Sequence, residues 1–177
     1  MPIFFITSNK GKFEEARKIV PGLKMLGIDL PEEQEIDQQK IVERKLGFAA
    51  KKCTGQLVVE DTGFYLDCLP GLPGPLIKWF LQTIGKKGIY EICEKFNNFK
   101  AKGMTIVGYR SEVGAVKFFK GEVSGSVVLA KGEDGFGWDP VFVPEGEEQT
   151  FAEMSQQEKN EISMRKKAFE KLRDYLA

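Results

Sequence analysis

Four short segments contain residue types that suit phosphate and metal chemistry, and the first is TSNKGK (residues 7–12). It lies between a predicted apolar strand and a predicted helix, so its lysines fall on the connecting turn. Backbone amides at a helix start favour an anion, because the helix dipole is positive there, and a nearby lysine adds a mobile charge. A solvated surface turn has the same composition, and the GxxxxGK[ST] spacing of a phosphate-binding loop is absent. The segment predicts either a small-anion site or a plain turn.

The second segment contains two adjacent carboxylates. Glu60 and Asp61 end the β-branched run QLVVED and precede a threonine and a glycine. Neighbouring strand residues point to opposite faces, so both side chains enter one cleft only if the strand has already ended. Carboxylates that converge from separate segments hold Mg²⁺, which prefers oxygen ligands and bridges to substrate phosphates. The alternative is an aspartate that caps a turn before the glycine.

The third segment, GFGWDP (residues 135–140), places two aromatic rings and an acid among glycines. Glycines permit close backbone approach, and an exposed ring can stack on a nucleotide base. The alternative is a β-turn whose aromatic rings pack into the core. The sequence of this segment alone leaves both arrangements open.

The fourth segment is the last predicted helix, where Arg165 stands at the edge of an apolar stripe. Ala168, Phe169 and Leu172 follow at helical spacing, so they share a face with Arg165. Lys159 precedes this helix in the predicted arrangement. Arg165 then either faces a cleft or extends its charged end to solvent along the apolar surface.

The composition limits which chemistry is available. The chain has 26 basic and 26 acidic side chains and no histidine. Without histidine the commonest general base and every Ser-His or Cys-His pair are missing, so an enzyme must rely on carboxylates and a hard metal. Zero net charge argues against a nucleic-acid partner, because binding a long phosphate backbone requires an excess of positive charge. We therefore expect any bound anion to be small.

Length, hydrophobicity and cysteine usage indicate a cytoplasmic protein of one domain. The 177 residues are 42% hydrophobic, which is enough for a substantial core. The three cysteines form no CxxC pair, so neither a disulfide framework nor a zinc site is indicated. No apolar run approaches the roughly 20 residues that cross a bilayer, and the first residues lack signal-peptide features. We expect no membrane partner.

The hydrophobic pattern predicts an α/β protein. An amphipathic helix is expected from Val42, and a short strand is expected to end at the two carboxylates. One long helix with a serine cap is expected at the end of the chain. The other predicted elements are strands at 3–7 and 23–28, a helix at 13–20, a rigid loop at 69–75 followed by two helices, and three antiparallel strands of a second lobe within 104–129.

Nine segments of the chain form a specific ordered set: TSNKGK, LPE, VVEDTG, GLPGP, IKWF, FGWDP, FAEM, EKNEIS and SMRKKA. This set resembles the inosine triphosphate pyrophosphatase, or Ham1-like, family almost from end to end, and GLPGP with IKWF looks most similar to its eukaryotic members. The resemblance implies a single domain over residues 1–177, an elongated two-lobed mixed-sheet α/β fold around a central cleft, and a homodimer. It also implies hydrolysis of ITP, dITP or XTP to the monophosphate and pyrophosphate with Mg²⁺, or Mn²⁺, which cleanses the nucleotide pool.

The resemblance also assigns roles to matching residues. Asp61, with Glu60 beside it, binds the metal or activates the attacking water, and Glu32 is the other metal ligand. The alignment that places Lys45 requires a length change between Glu32 and Ile41. The implied substrate-binding residues are Thr7, Asn9, Lys12, Lys45, Phe136, Gly137, Trp138, Asp139, Lys159, Ser163 and Arg165.

One position departs from the family pattern. The family carries Ser-His-Arg at the start of the last helix, where this chain has Ser163, Met164 and Arg165. Since the family histidine contacts the purine keto group, we expect base selection to be weaker or shifted here. Arg165 still offers donors to a keto oxygen and nothing that accepts the amino group of adenine.

A nucleotide-binding protein with little turnover is the alternative function. Such a protein would keep the phosphate and base contacts without a working metal site, and the carboxylates of Glu32 and Asp61 argue against it. A nucleic-acid-binding module, from a third class, conflicts with the zero net charge.

Overall fold

The computed structural model describes residues 2–31, 33–132 and 137–177. The strands in this part are β1 Ile3–Ile6, β2 Leu23–Leu26, β3 Gln56–Leu66, β4 Pro73–Gly74, β5 Lys100–Arg110, β6 Val116–Val127 and β7 Phe142–Pro144. The helices are α1 Lys10–Ile19, α2 Gln38–Lys52, α3 Ile77–Thr83, α4 Gly85–Lys95, α5 Gln156–Ile162 and α6 Met164–Leu176, with a 3₁₀ helix at Asp139–Val141. The predicted mixed-sheet α/β class is confirmed.

The strands form one sheet in the order β2-β1-β3-β5-β6-β7, and β4 pairs with β3 outside this path. β1 lies parallel to both β2 and β3, whereas the pairs β3–β5, β5–β6 and β6–β7 are antiparallel. Parallel neighbours require crossover connections, which α1 and α2 supply in the N-terminal part of the chain. The sheet is therefore parallel at one end and antiparallel at the other.

Alternation along β3 sends its side chains into two different helix layers. Val58 packs with the apolar faces of α1 and α6, whereas Val59 packs with α2. Because residues two apart on a strand share a face, Glu60 is directed like Val58 and Asp61 like Val59. The expectation that the two carboxylates diverge on a continuous strand is confirmed.

A further hydrophobic cluster joins the antiparallel end of the sheet to α3 and α4. Phe64 of β3, Phe142 of β7 and Trp138 lie in it together with Ile89 and Cys93 of α4. The rings of Trp138 and Phe64 stack with centroids 4.4 Å apart, and Phe142 meets both rings edge-on. This aromatic packing holds the chain on either side of the 3₁₀ helix.

Two helices begin earlier than predicted. α1 begins at Lys10, so Lys10 to Lys12 form its first turn and are not a connecting turn. Asn9 caps this end, since its side-chain oxygen accepts a hydrogen bond from the amide of Lys12. α2 likewise begins at Gln38, because Asp37 accepts hydrogen bonds from the first helical amides.

Three other predictions were wrong. β3 does not end at the carboxylates but runs to Leu66, because its second half pairs with β5. Residues 104–129 contain two strands, parts of β5 and β6, and these belong to the same sheet as β1. The predicted single C-terminal helix is two helices, since Ser163 ends α5 and caps α6. Lys159 lies inside α5 and, as predicted, precedes the helix that carries Arg165.

The start of α6 packs so closely on β6 that only glycine fits at position 121. A Cβ on Gly121 would overlap the carbonyl oxygen of Met164 and lie 2.7 Å from the nitrogen of Ala168. We expect Gly121→Ala to lower the free energy of unfolding by about 3 kcal/mol, measured by urea denaturation. Gly47→Ala is the matched control, because a Cβ there meets no described atom within 4 Å. It should stabilise α2 by about 1 kcal/mol, and equal losses in both variants would contradict this packing.

Candidate active site

A cleft of about 590 Å³ opens between the N-terminal end of α1, the face of α2, and the loops around α3 and α5. Its size lies in the range of small-molecule sites. Neither Thr7 nor Glu60 forms part of its wall, and Glu32 and Phe136 lie outside the described residues. The predicted site residues that line the cleft are Asn9, Lys12, Lys45, Asp61, Gly137, Trp138, Asp139, Lys159, Ser163 and Arg165.

The N-terminus of α1 supplies amides and a lysine to this cleft. The hydroxyl of Thr7 accepts a hydrogen bond from the amide of Asn9 at 3.1 Å, and Asn9 caps the helix. Thr7 thus supports the cap through its hydrogen bond with the main chain of Asn9. The first-turn amides and the ammonium group of Lys12 present positive charge at one end of the cleft, which suits a phosphate.

Glu60 is the buried centre of an ion cluster on the α1 and α6 side of β3. Its carboxylate lies 2.8 Å from Lys12 Nζ and accepts two hydrogen bonds from Arg165, at 2.9 and 3.1 Å. Burial alone would raise the pKa of Glu60, but the charges of Arg165 and Lys12 outweigh it and hold the pKa at about 2. Glu60 therefore stays ionised and orients both cations.

Arg165 is held from two sides. Besides Glu60, its guanidinium donates a hydrogen bond to Glu15 of α1 at 2.7 Å. Burial alone would lower the pKa of Arg165, but the two carboxylates raise it. Glu15 is a site residue that the sequence motifs did not indicate, although it stands one turn after Lys12 on the same helix. This spacing is the one local signal that Glu15 reaches the same site.

Asp61 faces α2 and the cleft. Its Oδ1 accepts a hydrogen bond from Lys45 Nζ at 2.8 Å, and the same ammonium reaches the carbonyl oxygen of Glu60 at 3.2 Å. Burial raises the pKa of Asp61 in spite of the Lys45 charge. Asp61 is therefore a better proton acceptor than an ordinary aspartate, because a higher pKa means a more basic carboxylate.

The second carboxylate oxygen of Asp61 fits a metal ligand. Oδ2 is buried and has no hydrogen-bond partner among the described residues, and such an oxygen requires an explanation. Within residues 2–31, 33–132 and 137–177, no three or more Asp, Glu, Cys or His side chains cluster as a metal cage. Mg²⁺ commonly binds through one or two carboxylates and completes its shell with water and substrate phosphates. Asp61 suits a cation of this kind.

The opposite end of the cleft is aromatic. Asp139, at the start of the 3₁₀ helix, is buried and forms an ion pair with Lys159 of α5. Trp138 lines the cleft but is only 6% exposed, and its ring packs on Phe64 and Phe142. Of the two arrangements that the sequence left open, this ring therefore has the one packed into the core.

The start of α6 closes this end. Ser163 is buried and its hydroxyl accepts a hydrogen bond from the amide of Lys166, which caps α6. Met164 is also buried and lines the cleft. A Cβ on Gly103 of β5 would lie 3.3 Å from the Met164 sulfur, so the thioether is packed tightly against the sheet. Met164 thus places sulfur and methyl surface at the start of α6, beside the cleft.

The mixed sheet and this cleft of paired cations and carboxylates define an α/β protein suited to a small phosphorylated ligand. The chain belongs to the Ham1 family, whose model matches residues 3–175. A dITP/XTP pyrophosphatase of Methanopyrus kandleri is 37% identical over 180 residues, which cover 99% of this chain and 96% of that relative. The resemblance to Ham1-like proteins is confirmed.

Solved structures agree with the fold. The Ham1 protein of Staphylococcus aureus has a TM-score of 0.85 at 25% identity, covering 99% of this chain and 98% of its own. A HAM1 protein of Coxiella burnetii has a TM-score of 0.89 at 23% identity with the same two coverages. The mixed sheet of this chain is therefore the fold of these proteins.

Proposed function

We propose that this protein hydrolyses the non-canonical purine nucleoside triphosphates ITP, dITP and XTP to the monophosphate and pyrophosphate, and so cleanses the nucleotide pool. The observation that carries the proposal is Asp61, which lines the same cleft as Lys12 and the α1 N-terminus and whose Oδ2 has no hydrogen-bond partner among the described residues. The 37% identical relative is named dITP/XTP pyrophosphatase, which supports dITP and XTP as substrates.

Each group in and beside the cleft has a separate role in binding or catalysis. Lys12, Lys45 and the first-turn amides of α1 bind the triphosphate, whose negative charge competes with the carboxylates for the lysines. Asp61 activates the attacking water, either as a base or through the metal that it holds. Glu60 serves as a positioning residue, because its contacts go to Lys12 and Arg165. Catalysis then rests on orientation and charge neutralisation, which phosphorus chemistry requires most.

A divalent cation completes this proposal. We expect Mg²⁺, or Mn²⁺, to be held by Asp61 and Glu32 together with the substrate. When bound, such an ion neutralises charge on the phosphates and lowers the pKa of a coordinated water. Removal of the ion with a chelator should abolish turnover.

The aromatic end of the cleft suits the base. Trp138 borders this end of the cleft, and Lys159 and Arg165 provide donors for keto oxygens or phosphate. Lys159 and Arg165 accept no hydrogen bond from the amino group of adenine, and the buried Asp139 carboxylate is engaged by Lys159. We therefore expect ATP to be a poor substrate.

A panel of substrates tests the proposal. Pyrophosphate release should be measured with Mg²⁺ from ITP, XTP, dITP, GTP and ATP at matched concentrations. We expect release from ITP, XTP and dITP to exceed release from ATP by at least about 10²-fold, the scale set by unpaired polar groups. Nucleotide binding without release from any of the five would contradict hydrolysis and leave the nucleotide-binding alternative.

Met164 should weaken discrimination between ITP and ATP. A thioether accepts hydrogen bonds weakly and donates none, so it adds nothing specific to the keto group that hypoxanthine has and adenine lacks. We expect Met164→His to raise the ratio of kcat/KM for ITP over ATP by about tenfold, the value of one hydrogen bond. Met154→His, at a half-buried methionine outside the cleft wall, is the control. An unchanged ratio in Met164→His would show that other groups select the base.

The assembly and location of the protein stay predictions. We expect a homodimer, which sedimentation of the purified chain will test, and a cytoplasmic location, which tagging in the source cells will test. In the described part of the chain, the helices are too short or too polar to span a membrane.

A further inference from the structure

Gln38 is a buried polar residue that the catalytic account leaves unused. It is the first residue of α2 and is 3% exposed. Buried polar side chains persist where their hydrogen bonds are satisfied, because an unmade bond is costly. Its partners therefore indicate what Gln38 does.

Both ends of the Gln38 amide are engaged. Nε2 donates to the carbonyl oxygen of Asp61 at 2.8 Å and to that of Met104 at 3.1 Å. Oε1 accepts a hydrogen bond from the hydroxyl of Tyr65 at 2.9 Å. Carbonyl oxygens only accept, so these partners fix which end of the amide is nitrogen. Burial and the nearby charge of Asp61 raise the pKa of Tyr65, which keeps its hydroxyl protonated as a donor.

The contacts tie three elements together at Asp61. Asp61 and Tyr65 belong to β3, Met104 belongs to the neighbouring β5, and Gln38 belongs to α2. The side chain therefore acts as a clamp between the start of α2 and two strands of the sheet. The clamp contacts the main chain of Asp61, whose carboxylate faces the cleft.

Lys45 is a second residue of α2 that forms hydrogen bonds with the same part of β3. It stands seven residues after Gln38, almost two helical turns, so both side chains leave α2 on the same face. Lys45 holds the carboxylate of Asp61 and the carbonyl oxygen of Glu60, whereas Gln38 holds the carbonyl oxygen of Asp61. One helix face thus fixes both the main chain and the side chain of Asp61.

We propose that Gln38 is a positioning residue, which fixes the main chain at Asp61 so that the free carboxylate oxygen is held at the cleft for a divalent cation. The inference rests on the proposed function, since it assigns Asp61 as the ligand. A positioning residue of this kind alters metal affinity and turnover without contacting the substrate. Removing the amide lets β3 and α2 shift relative to each other by the small distances that catalysis does not tolerate.

The test compares Gln38→Met, a substitution of similar volume, with Gln39→Met at the exposed neighbouring position. Binding of Mn²⁺ to the whole protein is measured by electron paramagnetic resonance, without turnover. Pyrophosphate release from ITP gives kcat and KM. We expect Gln38→Met to weaken Mn²⁺ binding and to lower kcat by about tenfold or more, with KM for ITP changed by less than about threefold. Gln39→Met should match the wild type.

Each outcome decides the question. If Gln38→Met loses only thermal stability while its Mn²⁺ affinity and kcat equal those of the wild type, Gln38 is structural and the inference is overturned. If Gln38→Met does not fold, Tyr65→Phe decides, because it removes a single oxygen from the clamp. A parallel loss in Mn²⁺ affinity and kcat supports the inference, and no change in either overturns it.

The two proposals fail separately in this design. A wild type that releases no pyrophosphate refutes the proposed function, and the ratio of Mn²⁺ affinities between wild type and Gln38→Met still tests the clamp. A wild type that releases pyrophosphate while Gln38→Met behaves identically refutes only the clamp. A wild type that neither turns over nor binds Mn²⁺ refutes both.

Discussion

Asp61→Asn is expected to lower pyrophosphate release from ITP by about 10³-fold, the scale of a lost catalytic carboxylate. The variant keeps the shape of the side chain but loses its negative charge and most of its basicity. Lys45, which donates to Asp61 at 2.8 Å, loses its ionic partner and becomes freer to bind phosphate. Nucleotide affinity should therefore be retained while turnover disappears.

The matched control is Asp67→Asn, at an exposed aspartate just beyond the end of the same strand. It changes the net charge of the chain equally but leaves the cleft intact, so its turnover should equal that of the wild type. Affinity is measured by calorimetry and turnover by a coupled pyrophosphate assay. Turnover of Asp61→Asn within about tenfold of the wild type would contradict the role of Asp61 as base or metal ligand.

Glu60→Gln is expected to lower the free energy of unfolding by about 3 kcal/mol, because it leaves a buried cation without its partner. Arg165 keeps its contact to Glu15, but the paired hydrogen bonds to Glu60 and the ion pair of Lys12 with Glu60 lose their charge. Urea denaturation at neutral pH measures the change. Turnover should fall as well, since both cations lose their fixed position.

Glu15→Gln is the comparison for this prediction. Glu15 also holds Arg165, but its side chain is 18% exposed against 3% for Glu60. Water compensates the loss of charge better at the more exposed position, so we expect about 1 kcal/mol. An equal or larger loss in Glu15→Gln would show that Glu60 is not the centre of the cluster.

The difference in stability between wild type and Glu60→Gln should depend on pH. The pKa of Glu60 is about 2 in the folded protein, below its ordinary value of 4.5. A lowered pKa gives stability that is fully present above about pH 4.5 and is lost as the pH falls toward 2. The difference in stability between wild type and Glu60→Gln should therefore shrink over this range. A constant difference from pH 6 to about pH 2.5 would contradict the lowered pKa.

The sequence predicts those site residues that lie in short motifs, where neighbouring residues determine the local structure. Lys12 and Asn9 are found by motif because a strand, a cap and a helix start follow one another within a few residues. Asp61 is found because a carboxylate after a β-branched run is conspicuous. The cap at Asn9 also fixes the start of α1, which the apolar pattern alone places too late.

Long-range packing explains what sequence does not predict. The Arg165 contacts join residues separated by 105 and 150 positions, and no local pattern indicates such a pairing. β3 continues past Asp61 through Thr62 because the opposite strand accepts it, with the Thr62 and Thr105 hydroxyls 2.8 Å apart. The break at Ser163 is hidden in a helical pattern, since its role as a cap becomes visible only in the fold. Tertiary pairing thus overrides local propensity at these positions.

The most direct test of the account is the fate of the phosphates when the wild type hydrolyses ITP with Mg²⁺ in isotopically labelled water. Phosphorus NMR identifies the products, and mass spectrometry locates the labelled oxygen. We expect IMP and pyrophosphate with the label in IMP, because water attacks the α-phosphorus. IDP with inorganic phosphate, or a label in pyrophosphate, would contradict it.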